Sequence, residues 1–396
     1  MAVLVACRRS IIGLLRYSPY QFSDISPYNI AVVTPNYFDN GFIRRGLGGS
    51  ITYLIDGSAS HPASSLAIYQ LIGAIFFAFP MALLLRQLMV RGDRLWGWFA
   101  LVMLVSPQLF WGWSREPGRS DMIVCGFIAW SVLAALRGRF VIAALVLFVG
   151  SQVHETAVIY GTPMLVALWF VAWRQGKAKV SDGVVAVLLL AALLAAAALA
   201  QLRWGDDVAQ VTATMRGARL VADHARLFDV AAYLTWGGFV AISTSWCMEF
   251  SDAPVPWVIA AGFVVLLVYF RVLFSRTWLA KGVLAFAALV PMVFMSAIAF
   301  DHGRWLIFAV ANAWLAAVAL RLVGTETVLP TAREWRISGA LLVFLVLMGP
   351  GSSHYPSFLA EKLAPRLFPN NHPKWLADCA PDWAARLGPP ETLPAH

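Results

Sequence analysis

Two adjacent arginines, Arg44 and Arg45, follow Asp39 by five and six residues and run directly into Gly46, Gly48 and Gly49. Three further stretches carry the same kinds of side chain. Arg115 and Arg119 bracket Glu116 just ahead of Asp121, His154 and Glu155 are neighbours, and Asp301 and His302 precede Arg304. Arginine is suited to gripping a phosphate with two parallel hydrogen bonds, and it stays charged at any working pH. Glycines let backbone approach an anionic group closely. A carboxylate or imidazole beside them can take a proton from a hydroxyl. The joint chemistry is phosphate recognition with deprotonation of an alcohol. Two other chemistries lack their motifs. "HET" has no second His one helical turn on, so the zinc-protease helix is absent. No G-x-S-x-G marks a serine hydrolase. No cofactor is expected, and a divalent cation at Asp39 is the one opening for a metal.

Taken singly, each set has a structural reading. An Arg–Asp pair at a helix end is a clamp, "HE" at a turn is a cap, and "GLGG" is close helix packing. Convergence on one layer would favour function, so the elements that position these residues decide the matter.

Those elements are set by composition. The chain has 396 residues, is 60% hydrophobic and only 13% charged, and has a mean hydropathy of +0.71. Ordinary globular domains are about a quarter charged, so the expected solvent is lipid and the fold class is all-α, a multi-pass helical membrane protein. The net charge of +9 then reflects basic loops at a membrane face rather than a nucleic-acid partner. Cys7, Cys125, Cys247 and Cys379 show no metal-type spacing, and those in apolar runs behave as small hydrophobes. The opening "MAVLVACRRSIIGLL" is no ordinary signal peptide, because Arg8, Arg9 and Arg16 interrupt it. It reads as a poor first span or interfacial segment, or as the sequel to a lost upstream start.

Runs long enough to cross a bilayer fall near 64–85, 95–113, 122–136, 184–202, 257–273, 282–300, 305–323 and 337–349. The stretch 140–173 is about twice a short span and is basic at both ends, so it is expected to form a helical hairpin turning at "SQVHETA". About 10–11 transmembrane helices result, depending on whether 229–247 crosses or is re-entrant. Residues 1–63 form an N-terminal segment and first outer loop, 64–349 the transmembrane domain, and 350–396 an extracytoplasmic tail rich in Pro and Trp. The basic stretches 86–94, 137–139, 174–179 and 333–336 take the cytoplasmic side. Counting crossings then puts 36–63, 114–121, the "HE" turn, 203–227 and 301–305 outside. Every arginine of the four candidate sets lands on that outer face, against the usual bias. Ionisable groups at a membrane edge are costly unless paired or functional.

The stretch "REPGRSDMIVCGFIAWSVLAALRGRFVIAALVLFVGSQVHETAVIY" resembles the central region of the EpsG/Wzy-like polysaccharide polymerases. It shares their order of Arg-bearing loop, helix, basic turn and second helix ending in a His motif. "NYFDNGFIRRGLGGSI" is similar to the first outer loop of the GT-C glycosyltransferases, in which an acid is the catalytic base. Both resemblances imply glycosyl transfer from a polyprenyl-linked donor at the extracytoplasmic face of a bacterial inner (plasma) membrane. The catalytic base is then Asp39, as the second resemblance implies, or the His154–Glu155 pair, of which the first implies that His154 faces the donor. Substrate binding falls to Arg44, Arg45, Arg115, Arg119, Asp121, Asp301, His302 and Arg304. The expected partners are the polyprenyl-linked sugar donor, a glycan acceptor, membrane lipid and other polysaccharide-assembly proteins. Two competitors stand beside this reading. One is a transporter or flippase of an anionic lipid or solute, which predicts broken helices in two related halves. The other is a non-catalytic envelope-complex subunit, which predicts that the arginines pair only with their own neighbours and leave no shared cavity.

Overall fold

A computed structural model of the protein describes residues 33–56, 62–91, 120–205, 207–217, 278–298 and 302–324, with the single positions 336 and 340. The spans expected at 95–113, 257–273 and 337–349, and the segment 229–247, lie outside the described residues. In chain order the helices are α1 (Tyr37–Asn40), α2 (Gly46–Asp56), α3 (Pro62–Val90), α4 (Asp121–Leu136), α5 (Phe140–Val153), α6 (Thr156–Arg174), α7 (Val180–Trp204), α8 (Val208–Gly217), α9 (Trp278–Ile298) and α10 (His302–Val323). Among the described residues there is no strand. Among the described residues, three segments are long and apolar enough to cross a membrane: Ile68–Val90 of α3, α6 and α7.

The core is built around α4, which packs against α3, α5, α6 and α10. It is apolar nearly all round and buried nearly all round, the pattern of a helix with no solvent face. Cys125 is buried there. The opposite case is α7. It is just as apolar, yet few of its residues are buried, and Leu188 and Leu199 are 63% and 67% exposed. In water each such leucine would forgo about 1.5–3 kcal/mol of burial, a penalty that lipid removes. An apolar helix with an apolar outer face is what a bilayer-embedded bundle requires.

The stretch 140–173 is the expected hairpin. A basic turn at Arg137–Arg139 enters α5, and His154 and Glu155 connect it to α6. The two helices close tightly because each places a glycine in the interface. A Cβ on Gly150 would reach Ala157 at 2.9 Å, and one on Gly161 would reach Leu147 at 2.2 Å.

α3 and α4 run parallel. Tyr69 bonds Ser120, Gly73 abuts Ile123, and Phe79 stacks on Trp130. Two distinct bundle ends follow. Arg91, at the close of α3, and Lys177, between α6 and α7, both donate to the last carbonyls of α10, from Leu322 and Val323. With the 137–139 turn, these make one end basic. The other end collects the starts of α4, α6 and α10, the ends of α5 and α7, and the segment 33–56. The separation of the basic turns from the "HE" turn, expected from alternating spans, holds for the described residues.

Polar side chains also bind helices together inside the bundle. Asn312 of α10 donates to Tyr160 O at 2.8 Å and Ala287 O at 2.9 Å, tying α10 to α6 and α9. The Tyr160 hydroxyl returns a bond to Trp305 O at 2.9 Å.

Candidate functional site

The segment 33–56 was expected as a loop, and it is a folded cap on the end of the bundle. Asn36 caps α1, its Oδ1 accepting from the backbone N–H groups of Phe38 and Asp39 at 2.9 Å each. Ser50 of α2 accepts from Tyr37 N–H at 2.9 Å and donates to Gly46 O at 2.8 Å. The glycines of "GLGG" serve this folding. A Cβ on Gly49 would lie 1.9 Å from Pro35 O, one on Gly46 2.4 Å from the Tyr37 ring, and one on Gly48 3.0 Å from Tyr69 Oη. Their open sides are therefore filled by protein, and the expectation that they admit an anion is replaced by close helix packing. The cap is docked on its far side as well. A Cβ on Gly41 would meet Trp204 O at 2.1 Å, and Asn40 Nδ2 donates to Thr214 Oγ1 of α8 at 2.7 Å.

Between α1 and α2 the backbone turns through Arg45, which adopts φ +61, a left-handed conformation costing a non-glycine residue about 1–2 kcal/mol. Side chains of successive residues ordinarily diverge. The reversal at Arg45 brings both guanidiniums onto the Glu155 carboxylate. Arg45 grips it with two prongs, Nε to Oε2 at 3.0 Å and Nη2 to Oε1, and Arg44 Nη2 donates to Oε1 as well. Both arginines are nearly buried, with side-chain exposures of 9% and 6%. Burial alone would raise the Glu155 pKa, but the guanidiniums of Arg44 and Arg45 outweigh it and hold the carboxyl well below its ordinary range.

His154, 4% exposed, is the C-cap residue of α5, and its imidazole turns onto the first N–H of α6. Its Nδ1 accepts from Thr156 N–H at 3.2 Å, the Thr156 hydroxyl closes on the same nitrogen, and Glu155 Oε2 lies 3.7 Å away. An Nδ1 that accepts carries no proton, so the ring proton of the neutral imidazole resides on Nε2. The structural reading of "HE" thus splits into a buried cap at His154 and an ion-pair acceptor at Glu155. Tyr37 joins the cluster from α1, its hydroxyl donating to Gln152 Oε1 at 3.3 Å, and burial pushes its phenol well above the usual range.

Asp39 is on the same end but is exposed. Its carboxylate accepts from Asn36 Nδ2 at 2.9 Å, and its own carbonyl accepts from Gln210. The local pairing of Asp39 with Arg44 and Arg45 suggested by sequence gives way to the distant Glu155. Asp121 is the first residue of α4 and is buried. The adjoining Ser120 bonds the Tyr69 hydroxyl at 3.0 Å. His302 and Arg304 lie in the first turn of α10, at the same end, with their side chains outside the described residues. Arg115, Arg119 and Asp301 lie outside the described residues altogether. Among the described residues no three His, Cys, Asp or Glu side chains gather as metal ligands.

Sequence reasoning missed Tyr37, Gln152 and Thr156. Only Thr156 carried a signal, since a side chain accepting from the N–H two residues on is a common turn device. Among the described residues the assembled geometry is all-helical, with membrane-length helices and a largely buried Arg–Arg–Glu–His cluster at one bundle end. No protein-family model, curated protein or solved structure matches the chain.

Proposed function

We propose that the chain is an integral-membrane glycosyltransferase or polysaccharide polymerase of about 10–11 spans, using a polyprenyl-phosphate- or diphosphate-linked sugar at the extracytoplasmic face. The observation that carries this reading is the convergence of Arg44 and Arg45 on one carboxylate, at the end of a bundle with lipid-type outer surfaces. A carboxylate held by a two-pronged arginine presents the same planar pair of oxygens that a phosphate would present. The donor's phosphate takes the place of Glu155 on the guanidiniums while its polyprenyl chain lies along the bundle. Asp39, exposed and bonded through one oxygen to Asn36, takes the proton of the acceptor hydroxyl. The acceptor oxygen then bonds the anomeric carbon as the sugar–phosphate C–O bond breaks. The departing electron pair goes to the phosphate oxygen, and the arginines stabilise that charge. His154, with its proton on Nε2, donates to the same group.

The competing reading with an observation behind it is a clamp in a non-catalytic envelope-complex subunit, since both arginines already end on Glu155. That partner is 110 residues away in sequence from Arg45 rather than a neighbour, which favours the enzyme. A transporter gains less support, because α3, α6 and α9 run unbroken through Pro80, Pro163 and Pro291.

The test is transfer by purified protein in vesicles, given polyprenyl-phosphate- and polyprenyl-diphosphate-linked sugars with a glycan acceptor. Asp39→Asn should cut turnover by about 10²-fold or more. Arg45→Lys, which keeps the charge without the fork, should raise KM for the donor. Wild-type rates in both variants, or no transfer by the wild type in cells that keep their surface polysaccharide without it, would sink the proposal.

A further inference from the structure

Two pairs of cations at the basic end differ in their partners. Arg91 and Lys177 bond the Leu322 and Val323 carbonyls, satisfying acceptors that a helix leaves open at its negative end. Arg137 and Arg139 have no such partner. Both are exposed, and among the described residues neither makes an ion pair or a side-chain hydrogen bond. They stand instead at the rim of a cavity of about 440 Å³, walled by Phe76 of α3, Phe127 and Trp130 of α4, and Ile142 and Val146 of α5. The size falls within the range of about 300–1,000 Å³ typical of small-molecule sites.

The cavity is polarised along its length. Phe127 and Arg137 are ten residues apart on α4, about 15 Å at the helical rise. One end is therefore aromatic and aliphatic, the other doubly cationic, and among the described residues no acidic side chain lines either. Its wall is apolar and opens outward, with Ile142 45% exposed; Phe79, stacked on Trp130 outside the cavity, is 56% exposed. An occupant must match this with a chain of roughly that length and a negative head at one tip. We infer that the groove binds a membrane phospholipid with an anionic headgroup, its phosphate on Arg137 and Arg139 and an acyl chain along α4. A zwitterionic lipid offers the same phosphate but adds a cation that the two arginines repel. The site lies at the opposite end of the bundle from Glu155 and does not rest on the proposed activity.

Native mass spectrometry of the full chain in neutral detergent tests this, with phosphatidylglycerol and phosphatidylcholine of identical chains as probes. Phosphatidylglycerol should be retained in preference. Arg137→Gln with Arg139→Gln should weaken it by about tenfold or more, and so should Val146→Trp, which fills the groove without touching a charge. Because Arg137 and Arg139 are exposed, the double variant should keep the wild-type thermal midpoint, which is measured alongside. Equal retention of the two lipids overturns the inference. Unchanged phosphatidylglycerol binding in the arginine variant also overturns it. Binding that survives Val146→Trp means a charged face with no groove, and preferential loading of a polyprenyl phosphate means a different occupant; either result overturns it too.

Discussion

Arg45 Nε lies 3.0 Å from Glu155 Oε2, a bond that joins the cap over residues 33–56 to the turn of the α5–α6 hairpin. With Arg44 on the same carboxylate, it makes Glu155 the point at which the cap is fastened. Removing the shared carboxylate leaves two nearly buried guanidiniums uncompensated; because Glu155 is itself 28% exposed, the loss is less than the ~3–5 kcal/mol of a fully buried pair. Glu155→Gln should therefore lower the thermal midpoint by several degrees and expose 33–56 to protease. A midpoint within a degree of wild type would show that the pair does not fasten the cap.

The same carboxylate sets an acid limit. Its pKa is depressed in the fold below an ordinary glutamate's 4.5, so the folded state binds its proton less readily than the unfolded chain does. The stabilisation is fully present above that ordinary value. It declines as pH falls below it and is gone once pH has dropped through the folded pKa. Thermal melts between pH 7 and pH 3 should show a loss in the wild type that is smaller in Glu155→Gln. Parallel curves for the two proteins would refute the assignment.

His154 allows a cap to be separated from a proton carrier. Asparagine can accept from the same N–H group, whereas alanine cannot and should cost about 1 kcal/mol. His154→Asn should match the wild type in stability and His154→Ala should not. If the Asn variant is stable yet inactive in the transfer assay, the imidazole does more than cap α6. If it transfers normally, the cap is the whole of its role.

Two glycine substitutions should behave differently. Gly49→Ala drives a methyl to 1.9 Å from Pro35 O, and overpacking of this kind costs about 1–3 kcal/mol. Gly138, at φ +72 with nothing within 4 Å, should lose only about 1 kcal/mol on conversion to alanine. Limited proteolysis should then release the cap in Gly49→Ala alone. Equal release from both would mean that the glycine contacts do not hold it.

Lipid contact at α7 can be read from one exposed position near its middle, Ala192. Lysine there would cost about 2.5–3.5 kcal/mol against hydrocarbon, but within about 0.5 kcal/mol of nothing against water. Ala192→Lys should reduce the membrane-inserted yield sharply. An unchanged yield would place α7 against water or protein.

The hairpin at 140–173 was legible in sequence because length and flanking charge restrict an apolar run to few arrangements. The separation of the basic turns from the "HE" turn follows from the same two quantities. The partner of Arg44 and Arg45 was not legible. Asp39 is nearer in sequence, but α1 turns it toward Asn36, and only the docking of the cap reveals Glu155. "GLGG" left two readings open for a related reason, since glycine allows close approach without naming what approaches, and the packing reading is the one that holds. His154 and Thr156 carried a readable local motif, yet the burial that makes it matter is a product of tertiary packing.

Asn312 has a consequence for motion. A side-chain amide has two N–H donors, and this one spends them on α6 and α9. Sliding α10 along its axis by a single residue, about 1.5 Å, would strand both donors where no water can replace them, at several kcal/mol each. Piston displacement of α10 against α6 and α9 is therefore closed to this bundle. Relative movement of these helices must proceed as a rocking about the Asn312 amide, with the two ends of the bundle swinging in opposite senses.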